Sequence, residues 1–343
     1  MNIGTRPIGP DHPPYVIAEI GVNHDGQVAR ALELTDAAAD AGADAVKLQY
    51  FETDRLMSKA AKLAAYQKTA GETDPISMLR RLELTLDEMA QVVERAHARG
   101  IHAIVTVFST ELVEPAETLA WDAYKTASPD IVNRPLLEAL AATDKPMIVS
   151  TGASTLDEVV RAVGWLDSAR DRLALLQCVS SYPAPDAELG GISAIRNATA
   201  LPVGYSDHTE RVQTGADAVR AGAVLLERHV TYDRNAPGPD HAASLEPAAF
   251  SEYARAARCI DRKAAVGSKR VLDCEHDVRT VSRQSVVSVG PIAPGTTIIR
   301  EHLTIKRPGT GILAYRLDEV IGRVAAREIE GDVPIVDDDL RPA

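Results

Sequence analysis

The feature that most constrains this chain is an eightfold alternation of short apolar runs with longer amphipathic stretches between Tyr15 and about Val266. The apolar runs read as buried strands at 15–21, 45–51, 102–108, 122–128, 147–151, 173–180, 202–207 and 224–231. Helical patterns fill the intervals, for example 29–41, 86–99, 156–168 and 212–221. Periodicity alone does not separate a short buried strand from a buried helix, but regular alternation with helical windows argues for βα units. Eight such units with right-handed crossovers predict a closed (β/α)8 barrel with its helices outside. The long connection 52–84 breaks the rhythm, and connections of that length are lids or carry extra helices.

The 343 residues exceed what a barrel of about 250 residues needs. A polar stretch, 267–280, separates the barrel region, 1–266, from a Val- and Ile-rich tail, 281–343, with frequent turn signals. The tail reads as a small β-rich domain with one helical stretch at 317–321, small enough to gain from packing against a partner. Apolar residues at 45% and charged residues at 25% fit a globular chain with a real core. A net charge of −12 excludes neutralisation of an extended phosphate backbone, and so argues against a nucleic-acid partner. An anionic substrate would need local Lys and Arg residues. Three cysteines without metal-type spacing, no signal-like N-terminus and no long apolar run predict a cytoplasmic protein without a membrane span.

In such barrels the chemistry sits at the C-terminal strand ends. There stand Glu19, Lys47, Gln49, Thr106, Lys125, Ser128, Ser150, Ser180, His208 and His229, a polar ring too complete for structure alone to explain. His208 and His229 end the seventh and eighth strands, where two imidazoles can share a divalent ion. Two buried histidines bonded to backbone carbonyls are the alternative. Asp207 could orient a ligand. Lysines inside buried strands need anionic partners, so Lys47 and Lys125, with Thr106, Ser128 and Ser150, suggest a phosphate and carboxylate cradle. A Schiff-base lysine is the rival reading. In the turn-rich segment 231–246, Asp233, Arg234, Asp240 and His241 are candidates for substrate contact, and a solvated loop is the competing explanation.

The segments IAEIGVNHDG, AVKLQYF, FSTELV, STGAST, LLQCVSSYPAP, VGYSDHT, ERHVTYDRNAPGPDHAASLEP and KRPGTGI occur in this order. Together they resemble the bacterial sialic acid synthase family. The resemblance implies a barrel followed by an antifreeze-like (SAF) domain, and a domain-swapped homodimer in which each small domain covers the partner's barrel. It implies metal-assisted condensation of phosphoenolpyruvate with an N-acetylmannosamine-like amino sugar, giving a nonulosonic acid and phosphate by C–O cleavage.

By the same resemblance, His208 and His229 hold manganese, and Glu19, Lys47, Lys125 and Asp240 are catalytic. Thr106, Ser128 and Ser150 surround phosphoenolpyruvate. Gln49, Tyr182 and Asp240 face the sugar, and Arg307 reaches in from the small domain. The chain departs from the family in KTASPD, where Asp130 keeps an acidic position beside Pro129, and at Ser180, where some members have asparagine. Both border the sugar. A condensation of phosphoenolpyruvate with a different sugar or a sugar phosphate is the alternative activity.

Overall fold

The computed structural model describes residues 1–263 and 266–342. A short hairpin, β1 (Asn2–Ile3) and β2 (Arg6–Pro7), precedes the barrel. Eight parallel strands then close on themselves: β3 (Tyr15–Glu19), β4 (Ala45–Tyr50), β5 (His102–Val107), β6 (Ala123–Thr126), β7 (Met147–Ser150), β8 (Leu173–Cys178), β9 (Val203–Asp207) and β10 (Leu225–His229). Closure is made by β10, which pairs with both β9 and β3. The expected barrel is therefore present. Several strands stop sooner than the sequence suggests, which leaves Ser128 and Ser180 in the turns beyond β6 and β8.

Strand alternation explains why these residues form both a core and a site. Side chains two apart share a face. Ile17, Ala45, Ile104, Ala123, Ile148, Ala174 and Leu225 point inward and pack with Ile3 and Ile8, so the hairpin plugs the N-terminal end. Their neighbours Val16, Val46, Val105, Tyr124, Val149 and Leu226 point outward under the helices. One step of two along the inward face turns apolar into polar: Ile17 to Glu19, Ala45 to Lys47, Ile104 to Thr106, Ala123 to Lys125 and Leu225 to Glu227. Register then sets His229 opposite Glu19, and Glu19 opposite Lys47.

The connection 52–84 holds three short helices, Thr53–Leu56, Ala65–Thr69 and Pro75–Arg80, and no long free loop. Leu56, Met57, Met78, Leu79 and Leu82 pack with Val22, Phe51 and Phe108 as an apolar rim on the barrel mouth.

The tail forms its own core around Val286, Ile298, Leu303, Val320 and Ile335. Its ladders pair β11 (Ser285–Ser288) with β12 (Leu303–Lys306), and β13 (Val324–Ala325) with β14 (Leu340–Arg341). The expected helical stretch is the single turn Leu317–Val320.

The structure gives detail to the junction between the two parts. The stretch 267–280 is packed rather than a plain tether. It holds a 3-10 turn, Asp273–Glu275, begins a helix, His276–Ser282, and buries Lys269 and Glu275. In the single chain the small domain packs on the mouth of its own barrel. Arg307 N–H donates to Leu56 O at 2.9 Å, Ser58 N–H donates to Arg307 O at 3.1 Å, and Tyr315 stacks on Trp165.

Candidate active site

The polar ring and the small domain, here called the cap, line one common cavity. It is lined by Glu19, Lys47, Gln49, Thr106, Lys125, Ser128, Ser150, Ser180, Tyr182, His208, His229, Asp240 and Arg307. Of the residues assigned a catalytic, substrate or metal role through the family resemblance, all but one therefore meet in one place. The exception is Asp130, which is fully buried behind the wall and accepts a hydrogen bond from Gln284 Nε2 at 3.0 Å. The 3-10 turn Ser128–Val132 directs Ser128 into the cavity and Asp130 away from it, toward the cap.

One half of the cavity is built for an anion. Lys47 Nζ contacts Glu19 Oε2 directly and lies 3.0 Å from Thr106 Oγ1. Glu227, which the sequence reading missed, stands between the lysines, 3.9 Å from Lys47 Nζ and 3.4 Å from Lys125 Nζ, and accepts from Ser206 Oγ at 2.8 Å. Burial pushes the Lys47 ammonium down to about 7, against the pull of Glu227. Burial alone would raise the Glu227 carboxyl, but Lys125 and Lys47 outweigh it and hold it low. Beside the lysines, Ser128 Oγ donates to Ser150 Oγ at 2.9 Å and accepts from Gly152 N–H at 3.0 Å. Glu19 Oε1 accepts from Gly21 N–H at 2.7 Å.

The other half carries the histidines, with ring centroids 5.6 Å apart. Burial lowers the pKa of both, so both are neutral donors near pH 7. His208 Nδ1 is tied to Val179 O at 2.9 Å, which leaves Nε2 as a free lone pair. His229 Nδ1 is buried with no hydrogen-bond partner, 4.0 Å from Asp240 Oδ2. Burial raises the Asp240 carboxyl to about 6. Two neutral imidazoles beside a carboxylate fit a divalent cation. Among the described residues no three such side chains already converge on one point, so solvent or substrate oxygens would complete the shell. Tyr182 lies 4.1 Å from the His208 ring, between it and Tyr66.

The remaining candidates are braces. Asp207 is fully buried, faces away from the cavity and binds Arg228 Nη1 at 2.9 Å, which ties together the strands that carry the histidines. His241 bonds Thr231 Oγ1 at 2.7 Å and Asp25 Oδ1 at 3.0 Å, anchoring the turn that presents Asp240. Asp233 accepts from Asn235 N–H at 2.8 Å, and Arg234 reaches Ala242 O at 2.9 Å. Beside Glu227 and Ser206, the reading also missed Tyr66, Phe108, Val278 and Ser282, all on the cavity wall. Alternation would have found the first two, which sit two residues before His229 and His208. At the cap end, Arg307 Cζ lies 5.5 Å from the Phe108 ring centroid, and its Nε is buried without a partner.

The NeuB family model matches residues 34–270, and that of the SAF domain matches 283–341. The N,N'-diacetyllegionaminic acid synthase of Campylobacter jejuni is 36% identical over 324 residues, 92% of this chain and 97% of that protein. The N-acetylneuraminate-9-phosphate synthase of Mus musculus is 33% identical over 88% of this chain and 85% of its own length. Among solved structures, the spore coat polysaccharide biosynthesis protein SpsE of Bacillus subtilis superposes with a TM-score of 0.85 at 29% identity, covering 100% of this chain and 99% of that one. A 3-deoxy-D-arabino-heptulosonate 7-phosphate synthase from Thermotoga maritima, with a TM-score of 0.58 at 13% identity, shares the barrel fold.

Proposed function

This chain belongs to the NeuB family, and we infer that it condenses phosphoenolpyruvate with an amino-sugar aldehyde, yielding a nonulosonic acid and inorganic phosphate. The observation that carries this reading is the joining of two unlike half-sites in one cavity. The anion cradle of Lys47, Lys125, Thr106 and the serines faces the histidine pair, and Arg307 lies at the cap end.

In the overall reaction C3 of phosphoenolpyruvate bonds to the sugar aldehyde carbon, water adds at C2, and the C2–O bond to phosphate breaks. Lys47 and Lys125 hold the phosphate and carboxylate, while Ser128 and Ser150 offer hydroxyls beside them. Fixing both reactants in one enclosed space removes much of the entropic barrier. Glu19 is held on both oxygens, by Gly21 N–H and Lys47, and is the candidate to orient or deprotonate the attacking water. Arg307, with Nε free, is the donor for the acylamino carbonyl of the sugar.

We assign a divalent cation, manganese by preference, to His208 and His229. Charge supports it: the cavity's cations Lys47, Lys125 and Arg307 are matched by Glu19, Glu227 and Asp240, which leaves no surplus for a multiply charged anion. When bound, such an ion supplies that surplus and acts as a Lewis acid toward the aldehyde oxygen.

The acceptor is read as an unphosphorylated 2-acetamido sugar of the neuraminate or legionaminate type. Identity to legionaminic acid synthases is 36% and 35%, against 26% to the pseudaminic acid synthase of Helicobacter pylori. Among the described residues, Arg307 is also the one Arg or Lys on the wall beyond the two cradle lysines.

We further propose a homodimer that exchanges caps. Exchange would rebuild between chains the contacts that one chain makes with itself. The cysteines are free thiols, which suits the reducing cytoplasm where we place the enzyme. No helix of the described residues is long and apolar enough to cross a membrane.

The test is phosphate release from phosphoenolpyruvate with manganese and a panel of 2-acetamido sugars and their 6-phosphates. Release with an unphosphorylated sugar is expected, and none with any sugar would overturn the reading. Mixing Arg307→Ala and Lys47→Ala chains tests the exchange, which predicts recovered activity in the mixed dimer.

A further inference from the structure

The connector between barrel and cap grips the anion half-site from behind. Glu275 is 1% exposed, and its Oε1 accepts two barrel N–H groups, Ala153 at 2.6 Å and Ser180 at 2.8 Å. Its Oε2 accepts Leu272 N–H at 2.9 Å, within the connector. Ala153 has φ +51°, a left-handed conformation that costs free energy for a residue other than glycine. The same residue's carbonyl accepts from Arg279 Nη1 and, at 3.2 Å, from Arg283 Nη2. Three connector side chains therefore fasten one turn of the barrel on both faces of a strained residue.

That turn follows β7 and carries the cradle. Ser150 precedes it, Gly152 within it donates to Ser128 Oγ, and Ser180 lies in the adjoining turn after β8. The packing leaves no slack. A Cβ on Gly152 would fall 2.2 Å from Ser180 Oγ and 2.8 Å from Ser128 Oγ. A shift of this turn moves all three hydroxyls together.

We propose that Glu275 is a positioning residue for the cradle. It sets the wall of Ser128, Ser150 and Ser180, so the anion site is complete only when the connector is seated. The proposal rests on the reading of that wall as the phosphoenolpyruvate site. The connector's own fold needs one oxygen of Glu275, for Leu272 N–H, and the other is committed to the barrel. Burying a carboxylate is expensive unless hydrogen bonds compensate it, and two of the three compensating donors belong to the active-site turns. Lys269 Nζ is also buried without a hydrogen-bond partner, and burial lowers its ammonium against the pull of Glu275.

The experiment compares Glu275→Ala and Glu275→Gln with the wild-type protein. Phosphoenolpyruvate affinity is measured by titration calorimetry with manganese present, and amide hydrogen exchange is measured at Ala153 and Ser180. Glutamine keeps an oxygen for the two barrel N–H groups and spoils only the contact with Leu272, so its affinity stays within about threefold of wild type. Alanine removes the acceptor from both, so exchange at Ala153 and Ser180 accelerates and affinity falls by about tenfold or more. In Glu275→Ala the loss of phosphoenolpyruvate affinity exceeds any rise in KM for the sugar. A merely structural role would move both KM values together. If Glu275→Ala does not fold, Glu275→Asp takes its place, because it is one methylene too short to reach both N–H groups.

A folded Glu275→Ala protein with unchanged exchange at both amides, or with wild-type phosphoenolpyruvate affinity, overturns the proposal. If the wild-type protein binds no phosphoenolpyruvate, the reading of the site fails instead, and the exchange data still decide whether Glu275 holds the turns.

Discussion

Replacing Glu158 with glutamine should loosen the cap from the barrel, and the structure sets the scale. Glu158 closes the capping box of helix Leu156–Trp165 and meets both connector arginines, Arg279 at 2.8 Å on each oxygen and Arg283 at 2.8 and 3.0 Å. Burial opposes its ionisation, but the bonds from Arg283 and Arg279 outweigh burial and hold the carboxyl at about 2 against 4.5. At 1.36 kcal/mol per unit that difference corresponds to roughly 3 kcal/mol. Removing one member of a buried pair costs about 3–5 kcal/mol, a consistent magnitude. The folded pKa is depressed, so the contribution is fully present above pH 4.5 and is lost as pH falls toward 2. Trp165 stacks on Tyr315 of the cap, with ring centroids 5.9 Å apart, and so reports docking. In a Trp121→Phe background its fluorescence during urea titration follows the cap. Glu158→Gln should lower the free energy of cap release by about 3 kcal/mol at pH 7, with the gap from wild type narrowing below pH 4.5. A difference below about 0.5 kcal/mol at pH 7, or one constant with pH, would refute the reasoning.

Three other outcomes follow from the same geometry. Gly152→Ala places a methyl among Ser128, Ser180 and Cys178, so KM for phosphoenolpyruvate should rise about tenfold or more, read by phosphate release at saturating sugar. Asp130 is raised by burial to about 7, with Arg307 and Gln284 opposing. The folded chain therefore holds a proton that the unfolded chain releases between about 4 and 7, and stability should decline across that window in wild type and not in Asp130→Asn, measured by calorimetric unfolding. Alanine at His208 or at His229 should weaken manganese binding by about a hundredfold, detected by the electron paramagnetic resonance of free ion, with far-ultraviolet dichroism unchanged.

The barrel was legible because its strands have one signature, apolar on both faces at the N-terminal end and polar on the inner face at the C-terminal end. Lys47 and Lys125 stood out because they sit inside otherwise apolar runs, and His208 and His229 because they close them. Glu227 and Ser206 obey the same alternation one step earlier, and a reading that looked only at terminal positions passed over them. Asp130 was misplaced because a 3-10 turn follows β6, and its tighter winding sends side chains two apart in different directions. His241 and Arg234 looked like substrate ligands because a turn-rich loop shows no periodicity to say which side chains point inward. The connector was opaque for a related reason: its apolar residues are sparse, and what fixes it is hydrogen bonding between Glu275 and backbone groups more than ninety residues away in the chain.

The two halves of the cavity are consequently held by different means. Among the described residues, the hydrogen bonds and ion pairs that join positions 268–342 to the barrel reach loops after β4 through β8: Ser58, Phe108, Asp130, Ala153, Glu158, Ser180 and Glu188. Those loops follow the strands that bear the cradle and hold Ser128 and Ser180 themselves. His208, His229 and Glu19 stand at the C-terminal ends of β9, β10 and β3, and barrel pairs brace that side: Arg228 with Asp207, His241 with Asp25, and Asn23 Nδ2 with Val230 O at 2.9 Å. The imidazole side is thus braced within the barrel, and the cradle side is tied to the cap and its connector. Arg307 enters on the same domain whose connector sets the serine wall. Seating of the cap therefore places Arg307 and the contacts to the serine wall together.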